Sequence, residues 1–232
     1  MAQRSVLAVF VMVLSLCLLP PVLSRAGVSE EAKVQASTAI IKEVMDIPES
    51  AIPPSLLHNA QGIAIFPDLI KGAFIFGGRF GEGILLVRNE DRSWGNPVFF
   101  SLIGGSFGWQ IGVQSTDVIL VLNTIRSLDA ICGGKFTLGG DASIAAGPVG
   151  RQAEVGTDVL LRAEILSYSR NRGVFLGLSL EGAAIQLDYG ATASFYNVPG
   201  LLPMDILRKP NVMTTPASAA ELRRVLDWYS TH

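Results

Sequence analysis

Ser106 lies in the segment that most resembles a catalytic motif. Gly104-Gly105-Ser106-Phe107-Gly108 matches the G-x-S-x-G pattern of a hydrolase nucleophile elbow. That chemistry needs a histidine base, which follows the serine in the chain of such hydrolases, and only His232 does so here, since His58 precedes it. An elbow also needs a strand-to-helix turn, whereas Trp109 to Val113 has the composition of a strand. We therefore predict a tight turn of a sheet at Ser106, with a lipid esterase as a less favoured alternative.

The glycine-rich segments lack the order that a nucleotide site needs. In Gly133-Gly134-Lys135-Phe136-Thr137, Phe136 stands where a phosphate loop has the Ser or Thr that holds magnesium, and Gly77 to Gly83 lacks the G-x-G-x-x-G order. Two histidines and one cysteine beyond Cys17 do not make a usual zinc site. The remaining carboxylates are scattered: Asp141, Glu154, Asp158, Glu164 and Glu181. We predict a protein that is not an enzyme and has no cofactor or metal.

The N-terminal residues have the pattern of a secretory signal peptide. Arg4 is followed by an apolar stretch from Val6 to Leu19, and Ser24-Arg25-Ala26 provides a small-x-small exit. The stretch is shorter than the about 20 residues that a membrane-spanning helix needs. We predict a signal peptide at 1–26, cleaved near Ala26. An uncleaved anchor is an alternative, and so is a lipoprotein acylated at Cys17, although the residue before that cysteine is Leu16 and not a small one.

The composition favours one folded domain, 27–232, that is exported and does not bind nucleic acid. Without Arg4 and Arg25, 16 of the 18 basic residues remain against 20 acidic residues, so the net charge becomes −4. Nucleic acid requires a dense basic surface, which this balance does not supply. Cys132 is then the one thiol, which excludes an internal disulfide. Export without disulfides fits a bacterial periplasm or the periphery of an outer membrane.

Helices are expected at both ends of the domain and once inside it. Ser29 is a candidate cap for a helix to Asp46, and Asn123 or Thr124 for an inserted helix that ends at Cys132. Thr215 precedes Pro216, which predicts a cap and first helical position of the C-terminal helix.

Between these helices the sequence predicts short strands separated by glycines. The runs are 62–66, 73–76, 83–87, 98–103, 118–122, 135–138, 142–146, 158–167 and 174–180. Their close spacing indicates hairpins, with one turn predicted at 169–173. The predicted fold is α+β: a strongly curved, antiparallel, glycine-rich β-sheet, barrel-like or a sandwich, with helices at both ends and one inserted helix.

Several blocks between Pro54 and Tyr196 resemble the SYLF family. They include Pro54-x-x-Leu57-x-x-Ala60-x-Gly62-Ile63-Ala64-Ile65-Phe66-Pro67, and Gly105-Ser106-x-Gly108-x-Gln110-x-Gly112. The most specific block is Gly134-Lys135-Phe136-Thr137-Leu138-Gly139-x-Asp141-Ala142-Ser143-x-Ala145-Ala146-Gly147-Pro148-x-Gly150-Arg151, followed by Tyr168-Ser169-Arg170. The resemblance implies a non-catalytic, lipid-binding domain; eukaryotic members bind phosphoinositides, partly through an N-terminal amphipathic helix, and some bind actin. Small exported bacterial members are similar to this chain.

The resemblance also yields candidate lipid-binding residues. Phosphate headgroups need cationic donors, and the basic residues inside the matching blocks are Lys71, Arg79, Lys135, Arg151, Arg170 and Arg172. Each is also compatible with an ordinary solvated charge or an ion pair. The membrane-helix candidates are Ile40, Ile41, Val44 and Met45, although their helical spacing favours packing on the sheet. The same helix carries Lys33 and Lys42 against four acidic residues, which disfavours phosphoinositide recognition.

The function predicted from the sequence is non-catalytic binding of phospholipid or a membrane surface in the bacterial cell envelope. An outer-membrane β-barrel is an alternative, because a signal peptide with glycine-rich strands suits one, although Ile84 to Val87 is continuously apolar and not alternating. A structural envelope protein is a further alternative.

Overall fold

The computed structural model describes residues 29–49, 51–73, 77–106, 112–150, 163–171, 174–176, 180–208 and 214–232. The predicted signal peptide, Arg151 and Arg172 lie outside the described residues. The helices are α1 (Glu30–Met45), α2 (Pro54–Asn59), α3 (Ile125–Cys132), α4 (Tyr189–Phe195), α5 (Pro203–Arg208) and α6 (Ala217–Thr231). The strands are β1 (Gly62–Ala73), β2 (Gly77–Val87), β3 (Val98–Ser106), β4 (Gly112–Leu122), β5 (Lys135–Thr137), β6 (Ile144–Ala146), β7 (Ile165–Asn171), β8 (Val174–Leu176) and β9 (Ala184–Leu187).

The strands form one strongly curled sheet, which confirms the predicted α+β class. Their order is β5-β9-β3-β2-β1-β4-β7-β6, and β8 pairs with β7. The pairings are antiparallel except that of β6 with β7, which is parallel, so the sheet is mixed where the sequence predicted an antiparallel one. Residues 147–164 separate these two strands, and a parallel pair needs a crossover of about a dozen residues or more.

The sheet buries both faces, because alternate residues of each central strand contact different helices. Ile63 and Ile65 of β1 belong to the core beneath α1 and α6. Ala64 and Phe66 belong to the core on the opposite side, which α3 and α5 cover. The runs that the sequence shows as continuously apolar are therefore central strands buried on both faces. We call the side that contains Ile63 and Ile65, beneath α1 and α6, the α1 face.

A bulge in β1 lets the strand continue past Pro67. The register shifts between Phe66 and Leu69, where Asp68 has a φ of 53°. A bulge adds one residue to the strand. Before the bulge the odd-numbered side chains of β1 lie on the α1 face, and after it the even-numbered ones do, including Ile70. The sequence predicted two separate strands here, 62–66 and 73–76; β1 instead runs without interruption to Ala73.

The helix caps in the structure can be compared with the helix starts predicted from the sequence. Ser29 accepts a hydrogen bond from the Ala32 amide at 3.3 Å, and Thr124 accepts one from Ser127 at 3.1 Å, which confirms both predicted starts. The start of α6 differs, because Pro216 occupies the cap position. Thr215 instead donates to Asn96 Oδ1 at 3.1 Å. Among the residues that the structure describes, no helix is both long enough and apolar enough to cross a membrane.

β7 and β8 form an antiparallel hairpin, as the turn predicted at 169–173 requires, but the first residues of that predicted turn belong to a strand. Ser169 and Arg170 lie within β7, which pairs with β8 up to Asn171 opposite Val174. The strand therefore extends further than the polar composition of this segment indicated, because β4 pairs with it as far as Arg170.

Candidate functional site

Helix α1 lies across the strands. At its beginning Lys33 forms an ion pair with Glu82 of β2, and near its end Glu43 forms one with Arg170 of β7. Ten helical residues rise about 15 Å. The strands β2, β1, β4 and β7 are consecutive neighbours, and three interstrand spacings amount to about 14 Å. The helix therefore spans four strands and is attached at each end by a charge pair.

The residues predicted to insert into a membrane form the core beneath this helix. Ile41 and Val44 have no exposed surface and Ile40 is 6% exposed. Met45 is partly buried and packs against the same core. Burying an aliphatic side chain of this size stabilises the fold by about 1.5–3 kcal/mol. The packing interpretation accounts for these contacts, and insertion stays a prediction that requires α1 to leave the sheet.

Beyond α1 the same face of the sheet is uncovered and apolar. Ile70, Phe80 and Ile103 are register partners across β1, β2 and β3. They are 49%, 47% and 52% exposed, respectively. Phe80 is two residues from Glu82, which contacts α1, so strand alternation puts both on the α1 face. We call Ile70, Phe80 and Ile103 the apolar shelf.

Glycine backbone continues the shelf to the end of the sheet. Gly78 pairs with Gly72 and with Gly105, and a Cβ placed on Gly78 or Gly105 would meet no atom within 4 Å. The last register row joins Ser106, Gly77, Ala73 and Gly112, so the β1–β2 and β3–β4 connections are at the same end. We call this the hairpin end; its α1 face has open space in front of it.

Two of the six predicted lipid-binding cations lie at the hairpin end. Lys71 and Arg79 are register partners, one position from Ile70 and Phe80 respectively. Alternation puts Arg79 on the opposite side of the sheet from the shelf. The strand segments 69–73 and 77–81 contain no acidic residue. This end of the sheet therefore has apolar side chains on its α1 face and a basic residue, Arg79, on the other face.

Two further predicted cations that the structure describes, Arg170 and Lys135, are elsewhere. Arg170 is engaged with Glu43, and its side chain is 28% exposed. Lys135 lies in the edge strand β5, opposite Gln186 and three strands from β2. The structure thus brings Lys71 and Arg79 together and places Arg170 in an ion pair with α1.

The neighbourhood of Ser106 differs from a nucleophile elbow. Ser106 ends β3, and the next described residues, from Gly112, form another strand. His58 is in α2, which precedes β1, so it lies at the end of the sheet opposite the hairpin end; its Nδ1 is 3.1 Å from the Ser230 carbonyl oxygen. His232 stacks on Trp228 with ring centroids 3.9 Å apart.

Two of the predicted carboxylates, Asp141 and Glu164, serve local structure. Asp141 accepts from the Thr137 amide at 2.7 Å, and Glu164 accepts from the Ser143 amide at 2.9 Å. Among the described residues, no group of three or more histidines, cysteines, aspartates or glutamates is arranged to hold a metal ion.

The sequence did not predict a groove between α1 and α6. Its volume is about 320 Å³, and it is lined by Lys42, Asp46, Arg224, Val225, Trp228 and Tyr229. Lys42 pairs with Glu221 at 2.7 Å, and Tyr229 donates to Asp46 at 2.9 Å. The groove is near the C-terminal end of α1, whereas the shelf is near Lys33 at its beginning. The shelf was not predicted from the sequence either, although the alternation of apolar and basic residues in Ile70-Lys71 and Arg79-Phe80 is visible there.

Charged groups anchor α6 to the sheet beside this groove. The pKa of Arg88 is lowered to about 10, mainly by burial and secondly by the neighbouring charge of Arg92, whereas the charge of Asp227 raises it. Burial raises the pKa of Asp227, which lies 3.6 Å from Arg88. Arg223 donates to the Trp94 carbonyl at 2.7 Å. These contacts hold α6 against the sheet.

Comparison with known proteins gives consistent matches. The family model described as "Ysc84: Las17-binding protein actin regulator" matches residues 103–229. The chain is 33% identical over 211 residues to SH3 domain-containing YSC84-like protein 1 of Bos taurus, covering 88% of this chain and 60% of that protein. It is 38% identical over 182 residues to SH3 domain-containing protein PJ696.02 of Schizosaccharomyces pombe, covering 77% and 41%. It is 34% identical over 177 residues to LAS seventeen-binding protein 3 of Saccharomyces cerevisiae, covering 74% and 38%. The matches thus span at most 60% of each of these three relatives.

Proposed function

The chain belongs to the Ysc84 (SYLF) family, and from that premise we propose that it is a non-catalytic protein that binds the phospholipid surface of a membrane. The relatives carry names that refer to binding and to SH3 domains, and none of those names describes a reaction. The whole activity of those longer proteins does not transfer to this chain, which matches only part of each.

The apolar shelf is the observation that supports this function. Three large apolar side chains, each about half exposed, lie in one row across three strands. Exposed apolar surface of this kind marks an interaction site. An interfacial protein buries such side chains about 5–10 Å into the boundary of the acyl chains, while nearby cations attract anionic headgroups. Lys71 and Arg79 occupy the adjacent register positions.

The place where this binding occurs is part of the proposal. The signal-peptide pattern at 1–26 supports export, so the membrane in question is that of the bacterial cell envelope, met from the periplasm or at the outer membrane. The net charge of −4 after cleavage means that attraction to anionic lipid has to come from the local cations at the hairpin end.

Vesicle co-sedimentation tests the function. The chain from Gly27 onward is mixed with vesicles of phosphatidylcholine alone or with phosphatidylglycerol added. We expect binding that is stronger with the anionic lipid. Phe80→Ser should weaken it, whereas the control Ile125→Ser should not, because Ile125 is 64% exposed on α3, outside the shelf. Absence of binding to both vesicle types, or equal effects of the two variants, would overturn the proposal.

Binding of a protein partner is the second candidate function. The family description names Las17 binding and actin regulation. The groove between α1 and α6 contains Trp228, which is 57% exposed, and exposed aromatic residues are common at protein interfaces. Binding of purified actin that Trp228→Ala abolishes and Phe80→Ser leaves unchanged would favour this function over the first.

A further inference from the structure

We propose that the groove between α1 and α6 binds the zwitterionic headgroup of one phospholipid, in which two carbons join a phosphate to an ammonium group. This inference rests on the proposed membrane-binding function and adds a second site to it, with the class of lipid that the site takes. Arg224 holds the phosphate, and Asp46 and the ring of Trp228 hold the ammonium.

Three side chains of the groove supply this chemistry. Arg224 and Trp228 are four residues apart on α6 and therefore lie on the same side of that helix. Asp46 caps the end of α1, and its carboxylate faces α6, because Tyr229 donates to its Oδ1 at 2.9 Å. All of these residues line the groove. A guanidinium, a carboxylate and an indole ring thus surround one cavity.

The charges of the groove are nearly balanced, which favours a zwitterion over a simple anion or cation. Lys42 donates to Glu221 at 2.7 Å, and this hydrogen bond with the charge of Lys42 is the main cause that lowers the pKa of Glu221. The charge of Arg224 contributes less to that shift, and Arg224 is exposed. An anion alone would meet the carboxylates of Asp46 and Glu221, and a cation alone would meet Arg224. A zwitterion offers each sign its opposite.

The two cationic and acidic groups also have the right form for the two ends of such a headgroup. A guanidinium presents paired donors that match phosphate oxygens. The Asp46 carboxylate gives one oxygen to the Tyr229 hydroxyl and has a second oxygen for an ammonium group.

The indole ring of Trp228 suits the ammonium group as well. Tryptophan is the strongest aromatic partner of cations, and quaternary ammonium ligands are recognised by aromatic faces. His232 stacks on the ring with centroids 3.9 Å apart, and 57% of the Trp228 surface is still exposed. Val225, which is 9% exposed, provides an apolar lining for the carbons between the two charges.

The size of the groove favours a headgroup over a protein. Its volume of about 320 Å³ is at the lower end of the range of small-molecule sites, about 300–1,000 Å³. A stable protein interface uses about 20–30 residues on each side, many more than line this groove. The headgroup therefore fits inside, and the acyl chains stay outside.

Glycerophosphocholine, a soluble headgroup without acyl chains, tests the site directly. Nuclear magnetic resonance of the chain from Gly27 onward measures the affinity from shifts at positions 224, 225 and 228. We expect it to bind at least about tenfold more tightly than inorganic phosphate or choline, because each of these carries only one of the two charges. Equal affinity for inorganic phosphate would show an anion site only and would overturn the inference.

Asp46→Asn removes the negative charge and keeps an acceptor for the Tyr229 hydroxyl. We expect it to weaken glycerophosphocholine binding by about fivefold, and Trp228→Ala to have a similar effect. Asp129→Asn is the matched control, because Asp129 is exposed on α3, outside the groove, and it should leave binding unchanged. Equal effects of the two aspartate variants would mean that only total charge matters, contrary to the inference.

Vesicles separate this inference from the proposed function. Asp46→Asn should weaken binding to phosphatidylcholine vesicles and should not weaken binding to vesicles of phosphatidylglycerol alone, whose headgroup has no ammonium. Unsubstituted protein that binds vesicles but not glycerophosphocholine would overturn the inference alone. Protein that binds glycerophosphocholine and no vesicle would overturn the proposed function, and with it a phospholipid as the source of the headgroup. Actin binding that Asp46→Asn abolishes, with no glycerophosphocholine bound, would assign the groove to a protein partner instead.

Discussion

The guanidinium carbon of Arg88 lies 3.8 Å from the centroid of the Trp94 ring. The Arg88 side chain is only 5% exposed, and it donates to the Leu57 carbonyl at 2.9 Å and to Ser230 Oγ at 2.7 Å. These contacts join α2, the β2–β3 connection and α6. A planar guanidinium provides the directed donors and the flat surface for this arrangement, whereas an ammonium group cannot reproduce them.

Arg88→Lys should therefore lower the free energy of unfolding by about 2–4 kcal/mol, since buried acceptors lose their donors. Urea unfolding followed by circular dichroism measures it. Arg126→Lys is the control, because Arg126 is 79% exposed and its contact with Glu164 is 3.7 Å long; it should change stability by less than about 0.5 kcal/mol. Equal effects of the two variants would contradict the role given to Arg88.

Gly83→Ala should lower the stability of the protein much more than Gly78→Ala does, although both glycines are in β2. A Cβ at Gly83 would be 2.4 Å from the Ile65 carbonyl oxygen, so the backbones of β1 and β2 would have to separate. We expect a loss of about 3 kcal/mol. Gly78 has open space and should tolerate alanine within about 1 kcal/mol. Thermal unfolding of both variants is the measurement, and a neutral Gly83→Ala would be inconsistent with this close approach.

Ile41→Ala and Phe80→Ser should separate stability from membrane binding. Ile41 is fully buried, so its truncation should destabilise the fold by about 2–5 kcal/mol and leave vesicle binding of the still-folded protein unchanged. Phe80→Ser should leave the unfolding midpoint nearly unchanged and weaken vesicle binding by about tenfold. If Ile41→Ala weakened binding as much as Phe80→Ser does, α1 would have to be assigned to the membrane contact.

Lys71→Gln should weaken binding to anionic vesicles by about fivefold at low salt, because a basic residue near such a surface contributes about 1 kcal/mol. The effect should shrink as added salt screens the charge. Arg126→Gln makes the same change of charge on α3, where the Arg126 side chain is 79% exposed, and should have little effect. A salt titration of co-sedimentation compares the two. If both variants weakened binding equally, the membrane would be responding to total charge and not to the hairpin end.

Asp117→Asn should stabilise the protein at neutral pH. Burial raises the pKa of Asp117, and the nearby Asp68 raises it further, although the Asp68 amide donates to Asp117 Oδ1 at 3.1 Å and acts in the opposite direction. Because the folded-state pKa is above the unfolded one, the ionised carboxylate opposes folding at neutral pH, and this opposition disappears as the pH falls below both values. The gain from asparagine should therefore shrink in acid.

Asp91→Asn provides a control of opposite sign. Hydrogen bonds from Ser93 lower the pKa of Asp91, so its ionised form favours folding at neutral pH and that contribution is lost as the pH falls. This substitution should destabilise the protein at neutral pH, with a difference that disappears in acid. Unfolding midpoints of both variants across the acid range check the signs, and the same sign for both would contradict the assignment.

Local sequence patterns predicted the elements that depend on contacts between residues close together in the sequence. Ser29 and Thr124 begin helices because their side chains accept amide hydrogens from the first turn, and that requirement is visible in the sequence. Helix α4, which begins after Asp188, was not predicted, although Asp188 accepts from the Ala191 amide at 2.9 Å. Its glycine and β-branched threonine are weak helix formers, so packing against β3 contributes to its stability.

The sequence by itself determined the α+β class, the family, two of the helix caps and the alternation of apolar strands with glycine. Only the tertiary structure decided that Ile70, Phe80 and Ile103 form one exposed row and that Arg170 faces Glu43. Those relationships depend on strand register and on the bulge at Asp68, which reverses the faces of β1 after Phe66. A one-residue shift in pairing moves every following side chain to the other face, and no local pattern specifies it, because the register of β1 depends on pairing with both β2 and β4.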